Sequence, residues 1–396
     1  MTFDGLWDEL APVGRDAGSG GYRRFAWTRT DGELREWFTG EARRRSLDVM
    51  SDRGGNLWAW LGDPDADGPG LVVGSHLDSV PDGGAFDGPL GVVSAFAALD
   101  ALRESGWRPS RPLAIAAFSD EEGARFGVAC AGSRIITGAL DADRARSLAD
   151  VDGTTMAEAM AAAGHDPARV GRDDEALRRV GTFVELHIEQ GKGLVDGDAA
   201  VGVASAIWPH GRWRLDLRGR ADHAGTTRLA DRSDPMLDLA AAIAKARAAA
   251  AEHDALATIG KLAVHPNGVN AIPSAVTAWL DARGPVEADV RKVVAAVGAA
   301  AGVTPAEESW TSATAFDAEL RDRLARVLAG ADGKPAPVLP TGAGHDAGIL
   351  SAAGIPTAML FVRNPTGVSH APDEHAEPAD CHHGVRALAQ VLENLA

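Results

Sequence analysis

The hydrophobic pattern along much of the chain predicts buried strands that alternate with helices. The segment 71–76, LVVGSH, is a short apolar run rich in valine, which favours a buried strand. The segment from Pro89 to Gly106 has apolar residues at helical spacing, a proline suited to a first turn and a glycine beyond the end. Further strand-like runs are PLAIAAFSDEEG, VGTFVELHIEQG and, near the C-terminus, IPTAMLFV followed by a closing helix. This alternation predicts an α/β sandwich with a mostly parallel sheet.

A second pattern, in which polar and apolar residues alternate, begins near residue 209. In GRWRLDLRGR it places Trp213, Leu215 and Leu217 on one face, as expected for a half-exposed antiparallel strand. The elements predicted next are, in order, a helix over 234–252, strands in LATIGKLAV and AVTAWLDAR, a helix over 286–301 and a strand near Glu307 to Ala315. This order is that of a small ferredoxin-like domain. We therefore predict a catalytic domain in two segments, 1–208 and 316–396, with a lid and dimerisation domain, 209–315, inserted between them.

Composition and charge exclude several classes of function. The chain has 396 residues, with 39 Lys and Arg against 56 Asp and Glu, so its net charge is −17. Such an acidic chain is a poor match for a nucleic-acid backbone or an anionic membrane. Its two cysteines, Cys130 and Cys381, exclude a disulfide framework and are interpreted as buried structural thiols. No apolar run approaches the roughly 18 residues of a membrane span, no signal-peptide pattern is present, and the cytoplasm is the expected location.

Histidines and carboxylates follow the predicted strands. They are His76, Asp78 and Asp87 after the first strand, Glu121 and Glu122 after the second, His187, Glu189 and Gln190 in or after the third, and His370 near the C-terminus. In an open α/β sheet the carboxyl ends of the strands line one crevice, where ligands bind. Imidazole and carboxylate donors suit zinc, manganese or a similar divalent ion. The absence of thiolates argues against a structural zinc site.

Each of these residues also has a structural interpretation. Glu121 and Glu122 could be favourable charges at a helix N-terminus. Asp78 could be a turn acid, although we interpret it as the carboxylate that orients the imidazole of His76. A lone histidine is more often a hydrogen-bonded structural residue than a ligand, and we keep that interpretation for His165, His210, His253, His265, His382 and His383.

Six sequence blocks resemble those of a known enzyme family. They are GSHLDSVPDGGAFDGPLGV, FSDEEGARFG, ELHIEQG, ADHAGTTRLADRSDP, TGAGHDAG and GVSHAPDEHA, and together they span nearly the whole chain. They resemble the dinuclear metal amidohydrolases called N-carbamoyl-L-amino-acid hydrolases and allantoate amidohydrolases, which belong to the aminoacylase/carboxypeptidase clan. GSHLDSV with FDG is shared across the clan, whereas ELHIEQG and DHAGTT are specific to the carbamoylase branch.

The resemblance implies that the chain cleaves a linear C–N bond in an N-carbamoyl or ureido amino acid. An alternative is a deacylase of N-formyl or other N-acyl amino acids, for instance of an acidic one such as N-formylglutamate. A peptidase of the same clan and a non-catalytic binding protein that has lost its metals are further alternatives. Metal content and ammonia release from N-carbamoyl amino acids would separate the enzyme from the binding protein.

The resemblance also implies two divalent metal ions per subunit, zinc or manganese, with cobalt or nickel as further options. Asp87 would bridge the two metals. His76 and Glu122 would be ligands of different metals, and His187 and His370 would each supply a second ligand to one of them. Two cations a few ångströms apart lower the pKa of a bridging water and hold the substrate carbonyl.

The remaining implied roles concern catalysis and substrate binding. Glu121 would be the general base that takes the proton of the water and later gives it to the leaving amine. His223 of the inserted domain would stabilise the oxyanion, and in this family it usually comes from the other subunit of a homodimer. The implied substrate contacts are Gln190, Asn270, Arg283 and the backbone of Ala343 and Gly344, with His345 and Asp346 bracing that last loop.

Arg363 departs from the usual family pattern. It precedes Asn364-Pro365-Thr366 and lies seven residues before His370. We expect it either to be a surface-loop arginine or to bind a second carboxylate on the substrate, because arginine suits bidentate carboxylate contacts.

Overall fold

The computed structural model describes residues 2–330 and 333–396, which form two compact units. The larger unit contains the residues up to Ser205 together with Ala315–Ala396, and the smaller unit is Ala206–Thr314. From the N-terminus to the end of β6 the elements are α1 (Phe3–Leu10), α2 (Arg29–Arg44), β1 (Asp48–Ser51), β2 (Leu57–Leu61), β3 (Gly70–His76), α3 (Pro89–Glu104), β4 (Leu113–Phe118), α4 (Ala131–Thr137), α5 (Ala142–Ser147), α6 (Met156–Ala162), α7 (Asp174–Arg178), β5 (Val180–Ile188), α8 (Gly193–Asp196) and β6 (Val201–Ile207). None of the helices in the described part of the chain is both long enough and apolar enough to cross a membrane.

The remaining elements complete both units. They are β7 (His210–Arg218), β8 (Asp222–His223), α9 (Pro235–Glu252), β9 (Leu256–His265), β10 (Ala271–Ile272), β11 (Ala275–Arg283), α10 (Glu287–Ala301), β12 (Ala306–Thr311), β13 (Thr314–Ala315), α11 (Ala318–Val327), β14 (Val338–Thr341), α12 (Asp346–Ala352), β15 (Thr357–Val362) and α13 (Pro378–Leu395). Short 3₁₀ turns lie at Pro167–Arg169 and Leu229–Asp231.

A large mixed sheet forms the centre of the larger unit. Its strand order is β1-β2-β4-β3-β5-β15-β6-β13, with β14 paired to β6. The pairs β4–β3, β3–β5 and β5–β15 are parallel, whereas β1–β2, β2–β4 and β15–β6 are antiparallel. The predicted α/β class is therefore confirmed, but the parallel part is limited to the four central strands. At the β1 edge of the sheet the pairing is antiparallel because the short turn between β1 and β2 can join only antiparallel strands.

The central strands are apolar because helices cover the sheet. All seven residues of β3 are buried, and α3 packs against β3 and α13. A strand covered on both faces needs no polar side of its own, which explains the continuous apolar runs in the sequence. The parallel strands β3, β4, β5 and β15 end at the same edge of the sheet, and their ends carry most of the candidate site residues.

The smaller unit has the predicted ferredoxin-like arrangement. Its four-stranded antiparallel sheet has the order β12-β7-β11-β9. Trp213, Leu215 and Leu217 are buried in its core, as the alternation predicts. The predicted final strand near Glu307 to Ala315 is instead two strands, because β13 belongs to the large sheet and only β12 pairs with β7. A separate two-stranded sheet of β8 and β10 pairs His223 with Ala271.

Candidate metal centre

His76 ends β3, and its ring is placed by the turn that follows. The side chain is fully buried. Its Nδ1 lies 3.2 Å from the backbone oxygen of Asp78 and 3.5 Å from the carboxylate of the same residue. Gly88 has φ +87°, and a Cβ there would lie 2.4 Å from the His76 ring. A glycine at position 88 therefore gives the imidazole its space, and Nε2 is left facing Asp87.

Asp87 lies between two groups of side chains, with one oxygen toward each. Its Oδ1 is 3.1 Å from Nε2 of His187 and 3.5 Å from Nε2 of His76. Its Oδ2 is 3.4 Å from Nε2 of His370, which in turn is 3.6 Å from Glu122. The five predicted ligands are thus brought together as two metal-sized clusters that share Asp87. The clusters pair His76 with His187 and Glu122 with His370.

The buried atoms of this cluster fit divalent cations. Nε2 of His76, Nε2 of His187 and Oε1 of Glu122 are buried and have no hydrogen-bond partner among the described residues. Burial raises the pKa of Glu122 to about 7, and Asp87 contributes to the increase. Burial alone would also raise the pKa of Asp87, but His187, His370 and His76 hold it well below its usual range. Unpartnered imidazole nitrogens and crowded carboxylates are costly without a cation, and these donor types suit zinc or manganese.

Glu121 and Glu122 lie in a sharp turn after β4. Asp120, just before them, has φ +53°. The backbone N–H groups of Glu121 and Glu122 donate to the two oxygens of Asp78, at 3.1 and 3.0 Å. The turn separates the two glutamates, so Glu122 reaches His370 while Oε2 of Glu121 lies 3.8 Å from Nε2 of His76. Asp78 therefore contacts His76, as the sequence predicts, and also holds this turn.

The carboxyl group of Glu121 has the environment of a general base. It is buried, and burial raises its pKa well above the usual value; His76 opposes this shift, whereas Asp346 and Glu122 add to it. A buried carboxylate with a raised pKa accepts a proton more readily than an exposed one and can later return it, as a general base requires. Glu121 faces the metal ligands without being a member of either cluster.

The loop that carries His370 contains a residue that sequence reasoning missed. The carboxylate of Glu374 is buried, and its Oε1 accepts the backbone N–H groups of Phe86 at 2.8 Å and Asp87 at 3.0 Å. A Cβ at Gly84 would lie 2.3 Å from Cβ of Glu374. Glu374 therefore ties the His370 loop to the turn that presents Asp87. The available signal was an acid four residues after His370 in HAPDE.

Gln190 also lies at the centre. Its Nε2 donates to Oδ2 of Asp87 at 2.8 Å and to Oγ of Ser369 at 3.2 Å, while its Oε1 is unpartnered. Ser369 in turn donates to Oδ2 of Asp87 at 3.2 Å. The amide is therefore adjacent to both clusters, where a substrate group could bind its free oxygen.

The loop of Ala343 and Gly344 leads directly into the centre. His345, which follows it, is buried, and its ring centroid is 4.5 Å from that of His187. Burial lowers the pKa of His345 well below its usual value and His187 lowers it further, so the ring is neutral. From the sequence, His345 and Asp346 are expected chiefly to brace this loop, with direct substrate contact as the alternative. The hydrogen bond that braces the loop involves Asp346, because Oγ of Ser133 donates to Oδ1 of Asp346.

A further missed residue is Glu185, two residues before His187 on β5. It is buried, and it forms a third metal-sized group with His187 and His345. Its oxygens accept from Oγ of Ser75 at 2.7 Å and from the N–H of Ala347 at 3.2 Å. The available signal was the two-residue repeat of a strand, which places Glu185 and His187 on one face.

Three predicted site residues belong to the smaller unit. Nδ1 of His223 accepts the N–H of Gly225 at 3.0 Å, so its Nε2 carries the ring proton of the neutral form. The backbone oxygen of Asn270 accepts the N–H of Ala224 at 3.0 Å, which holds Asn270 beside the His223 strand. Arg283 donates to both oxygens of Asp281, at 2.8 and 2.7 Å.

The structure gives Arg363 partners within the protein. Its Nε and Nη2 donate to the two oxygens of buried Asp380 on α13, at 2.8 and 3.0 Å. Its Nη1 lies 3.5 Å from the exposed carboxylate of Asp198. The bidentate face of the guanidinium therefore has an aspartate partner in this structure, which favours the interpretation of Arg363 as a structural arginine.

Comparisons with known proteins give a consistent picture. The model of peptidase family M20/M25/M40 matches residues 72–394. The chain is 36% identical over 411 aligned positions to an N-carbamoyl-L-amino acid amidohydrolase of Geobacillus stearothermophilus, covering 99% of this chain and 98% of the relative. It is 30% identical to the allantoate amidohydrolase of Escherichia coli strain K12, covering 98% and 96%. A crystal structure of a hydantoinase/carbamoylase family amidase from Burkholderia vietnamiensis is similar with a TM-score of 0.87 at 30% identity, covering 99% of this chain and 97% of that one.

Proposed function

The chain belongs to peptidase family M20/M25/M40, and from this premise we propose that it is an amidohydrolase that uses two divalent metal ions to cleave the ureido C–N bond of an N-carbamoyl amino acid or of allantoate. One observation carries the proposal: two clusters share Asp87 and leave buried ligand atoms of His76, His187 and Glu122 unpartnered beside the buried carboxyl of Glu121. This is the donor set of a two-metal hydrolase with a separate base. The relatives named for N-carbamoyl amino acids and allantoate support the ureido class of substrate.

Within the larger unit each side chain has a distinct task. His76, Asp87 and His187 would hold one metal, and Asp87, Glu122 and His370 the other. When bound, such a metal pair supplies a polarised substrate carbonyl and a water of lowered pKa. Zinc and manganese are the metals that we propose for these donors.

Glu121 would move the proton. Its Oε2 faces the metal ligands, so it can accept a proton from the attacking water and pass it to the departing nitrogen. Burial raises the pKa of Glu121 well above its usual value, so this carboxylate holds a transferred proton more readily than an exposed glutamate does. Gln190, with Oε1 free, would accept a hydrogen bond from the ureido nitrogen of the substrate.

The smaller unit would serve as the lid and dimerisation domain. We propose that His223, with its proton on Nε2, donates to the oxyanion, because its Nδ1 is already occupied by the N–H of Gly225. Asn270 and Arg283 would bind the substrate carboxylate. The ion pair of Arg283 with Asp281 keeps its guanidinium in place between substrate-binding events.

A homodimer formed through the smaller unit is part of the proposal. β9 is one of the two edge strands of its sheet, and β12 is the other. Exposed apolar side chains lie on β9 and on the adjacent α9, namely Met236, Leu237, Ile243, Leu256 and Leu262. An edge strand flanked by apolar groups favours pairing with a second chain.

The substrate assignment is tested with a panel. Metal-loaded protein is incubated with allantoate, β-ureidopropionate, N-carbamoyl-L-amino acids and N-formyl amino acids, and both ammonia and the released amino acid are measured. We expect ammonia from the ureido compounds in the presence of zinc or manganese and none after chelation. Turnover confined to N-formyl substrates would refute the ureido assignment.

The base assignment is tested with Glu121→Gln. We expect full metal content and a kcat that is roughly 10²–10⁴-fold lower, the usual contribution of a general base. Glu189→Gln is a matched control, because Glu189 is also buried but its carboxylate binds the backbone of Gly193 and Leu194. Loss of metal from the Glu121 variant would identify Glu121 as a ligand instead.

The trans role of His223 is tested by mixing two inactive variants, His223→Ala and Glu121→Gln. If each active centre takes His223 from the other subunit, mixed dimers contain one intact centre and regain activity. Exchange is demonstrated independently with differently tagged subunits. Exchange without rescue would contradict the trans arrangement.

A further inference from the structure

Cys130 is a buried thiol that the proposed reaction does not use, and it lies against the general base. Its Sγ is 3.5 Å from Oε1 of Glu121. Among the described residues it is the one side chain that donates a hydrogen bond to that carboxylate. Oε2 of Glu121 instead lies 3.8 Å from Nε2 of His76. The two oxygens of the base therefore have different neighbours, the thiol on one side and the metal ligands on the other.

The backbone places this thiol firmly. The N–H of Cys130 donates to the backbone oxygen of Glu121 at 2.5 Å, and the N–H of Ala131 donates to that of Asp120 at 2.9 Å. Cys130 has φ +54°, a left-handed conformation that strains a residue with a side chain and that glycine adopts more easily. Strained non-glycine residues concentrate at functional sites, so the side chain at this position calls for an explanation.

The thiol is able to donate. Burial raises the pKa of Cys130 well above its usual value, and the charges of Glu121 and Asp346 raise it further, so the proton stays on sulfur. On the other side of Oε1, Nδ1 of His345 lies 4.0 Å away. His345 is itself buried, and both of its ring nitrogens are unpartnered among the described residues. Oε1 is therefore enclosed between a thiol and a neutral imidazole.

We propose that Cys130 is a positioning residue for the reaction: its S–H holds Oε1 of Glu121 so that Oε2 faces the attacking water. This inference rests on the proposed function, in which Glu121 is the general base. The terminal torsion of a glutamate is broad, so without a donor the carboxylate samples orientations that do not serve proton transfer. Because Cys130 has no place in the ligand clusters, the effect falls on kcat and leaves KM and metal content unchanged.

The test compares Cys130→Ala, which lacks the donor, with Cys130→Ser, which keeps one. We expect kcat of Cys130→Ala to fall about five- to tenfold at unchanged KM, as for loss of one hydrogen bond in the transition state. Cys130→Ser should stay within about twofold of the parent, since a hydroxyl donates at least as well as a thiol. The matched control is Cys381→Ala, which empties the site of the other buried cysteine, on α13, and should leave kcat unchanged.

Three outcomes would overturn the proposal: parental kcat in Cys130→Ala, equal loss in Cys130→Ser and Cys130→Ala, or loss of metal from Cys130→Ala. If the alanine variant does not fold, Cys130→Gly removes the same donor at a φ that suits glycine, and the same outcomes apply. In the Glu121→Gln background, Cys130→Ala should change the residual kcat by less than about twofold, because the two residues act as one unit. Parental kcat in Glu121→Gln would refute the assignment of Glu121 as the base. If Glu121→Gln is inactive but the single variant Cys130→Ala keeps the parental kcat, only the positioning role of Cys130 is refuted.

Discussion

Replacing Glu374 should weaken metal binding even though this residue is not a proposed ligand. Its carboxylate holds the backbone N–H groups of Phe86 and Asp87 at 2.8 and 3.0 Å. Glu374→Ala removes both hydrogen bonds and leaves two N–H groups without partners in the turn that presents Asp87. A hydrogen bond to a charged group contributes about 1.5–3 kcal/mol. In Glu374→Ala the metals must order the turn without these hydrogen bonds, so part of this free energy is lost from metal binding. Changes next to metal ligands usually lower metal affinity about 10- to 100-fold, and we expect a value in that range.

Two related variants make the test sharper. Glu374→Gln keeps an oxygen acceptor without the charge, so its affinity should lie between those of the parent and the alanine variant. Gly84→Ala should resemble Glu374→Ala, because the added Cβ would lie 2.3 Å from Cβ of Glu374 and displace it. Glu377→Ala is the matched control, since Glu377 is an exposed glutamate three residues further along the same segment.

The assay measures metal per subunit by elemental analysis after equilibration with a graded series of chelator buffers. Burial, followed by the charge of Asp87, raises the pKa of Glu374 to about 7 in the metal-free protein. The carboxylate is charged above this pKa and protonated below it, so the titration is done at pH 8. Binding of both metals by Glu374→Ala with parental affinity would show that the turn holds Asp87 without Glu374 and would refute the reasoning.

Four further predictions concern the metal centre, the edge strand of the smaller unit and Arg363. Removing the metals with a chelator should lower the melting temperature, because it leaves buried carboxylates and imidazoles unpaired, and adding zinc or manganese back should restore it. Gly88→Ala should lower the metal content, because the added Cβ would displace the His76 ring. Retention of both metals by Gly88→Ala would contradict this prediction. If the proposed homodimer forms through β9, Leu262→Glu on this edge strand should shift sedimentation from dimer to monomer. Arg363→Ala should destabilise the protein by roughly 1–3 kcal/mol, because buried Asp380 loses its bidentate partner. It should change kcat/KM equally for glutamate-derived and leucine-derived substrates, and a selective loss on the glutamate-derived substrate would instead support a substrate-binding role for Arg363.

The central strands and the candidate ligands could be predicted from the sequence because their information is local. A run such as LVVGSH is apolar because helices cover β3, and it ends in a histidine because the strand end faces a site. The alternation of Trp213, Leu215 and Leu217 likewise identified the half-exposed sheet of the smaller unit. In both cases one short segment contains its own pattern.

Only the tertiary structure decided which residues meet across long distances in the chain. Glu374 reaches the turn of Asp87 nearly three hundred residues away, and Arg363 pairs with Asp380 through the packing of β15 and α13. The thiol of Cys130 turns toward Glu121 because residues 130–132 hydrogen-bond to the backbone of residues 119–121. A sequence pattern shows that a side chain is charged or apolar, but its partner depends on how strands pair and helices pack, which no single segment encodes. For this reason the candidate ligands could be proposed from the sequence, whereas the contacts that hold them in place could not.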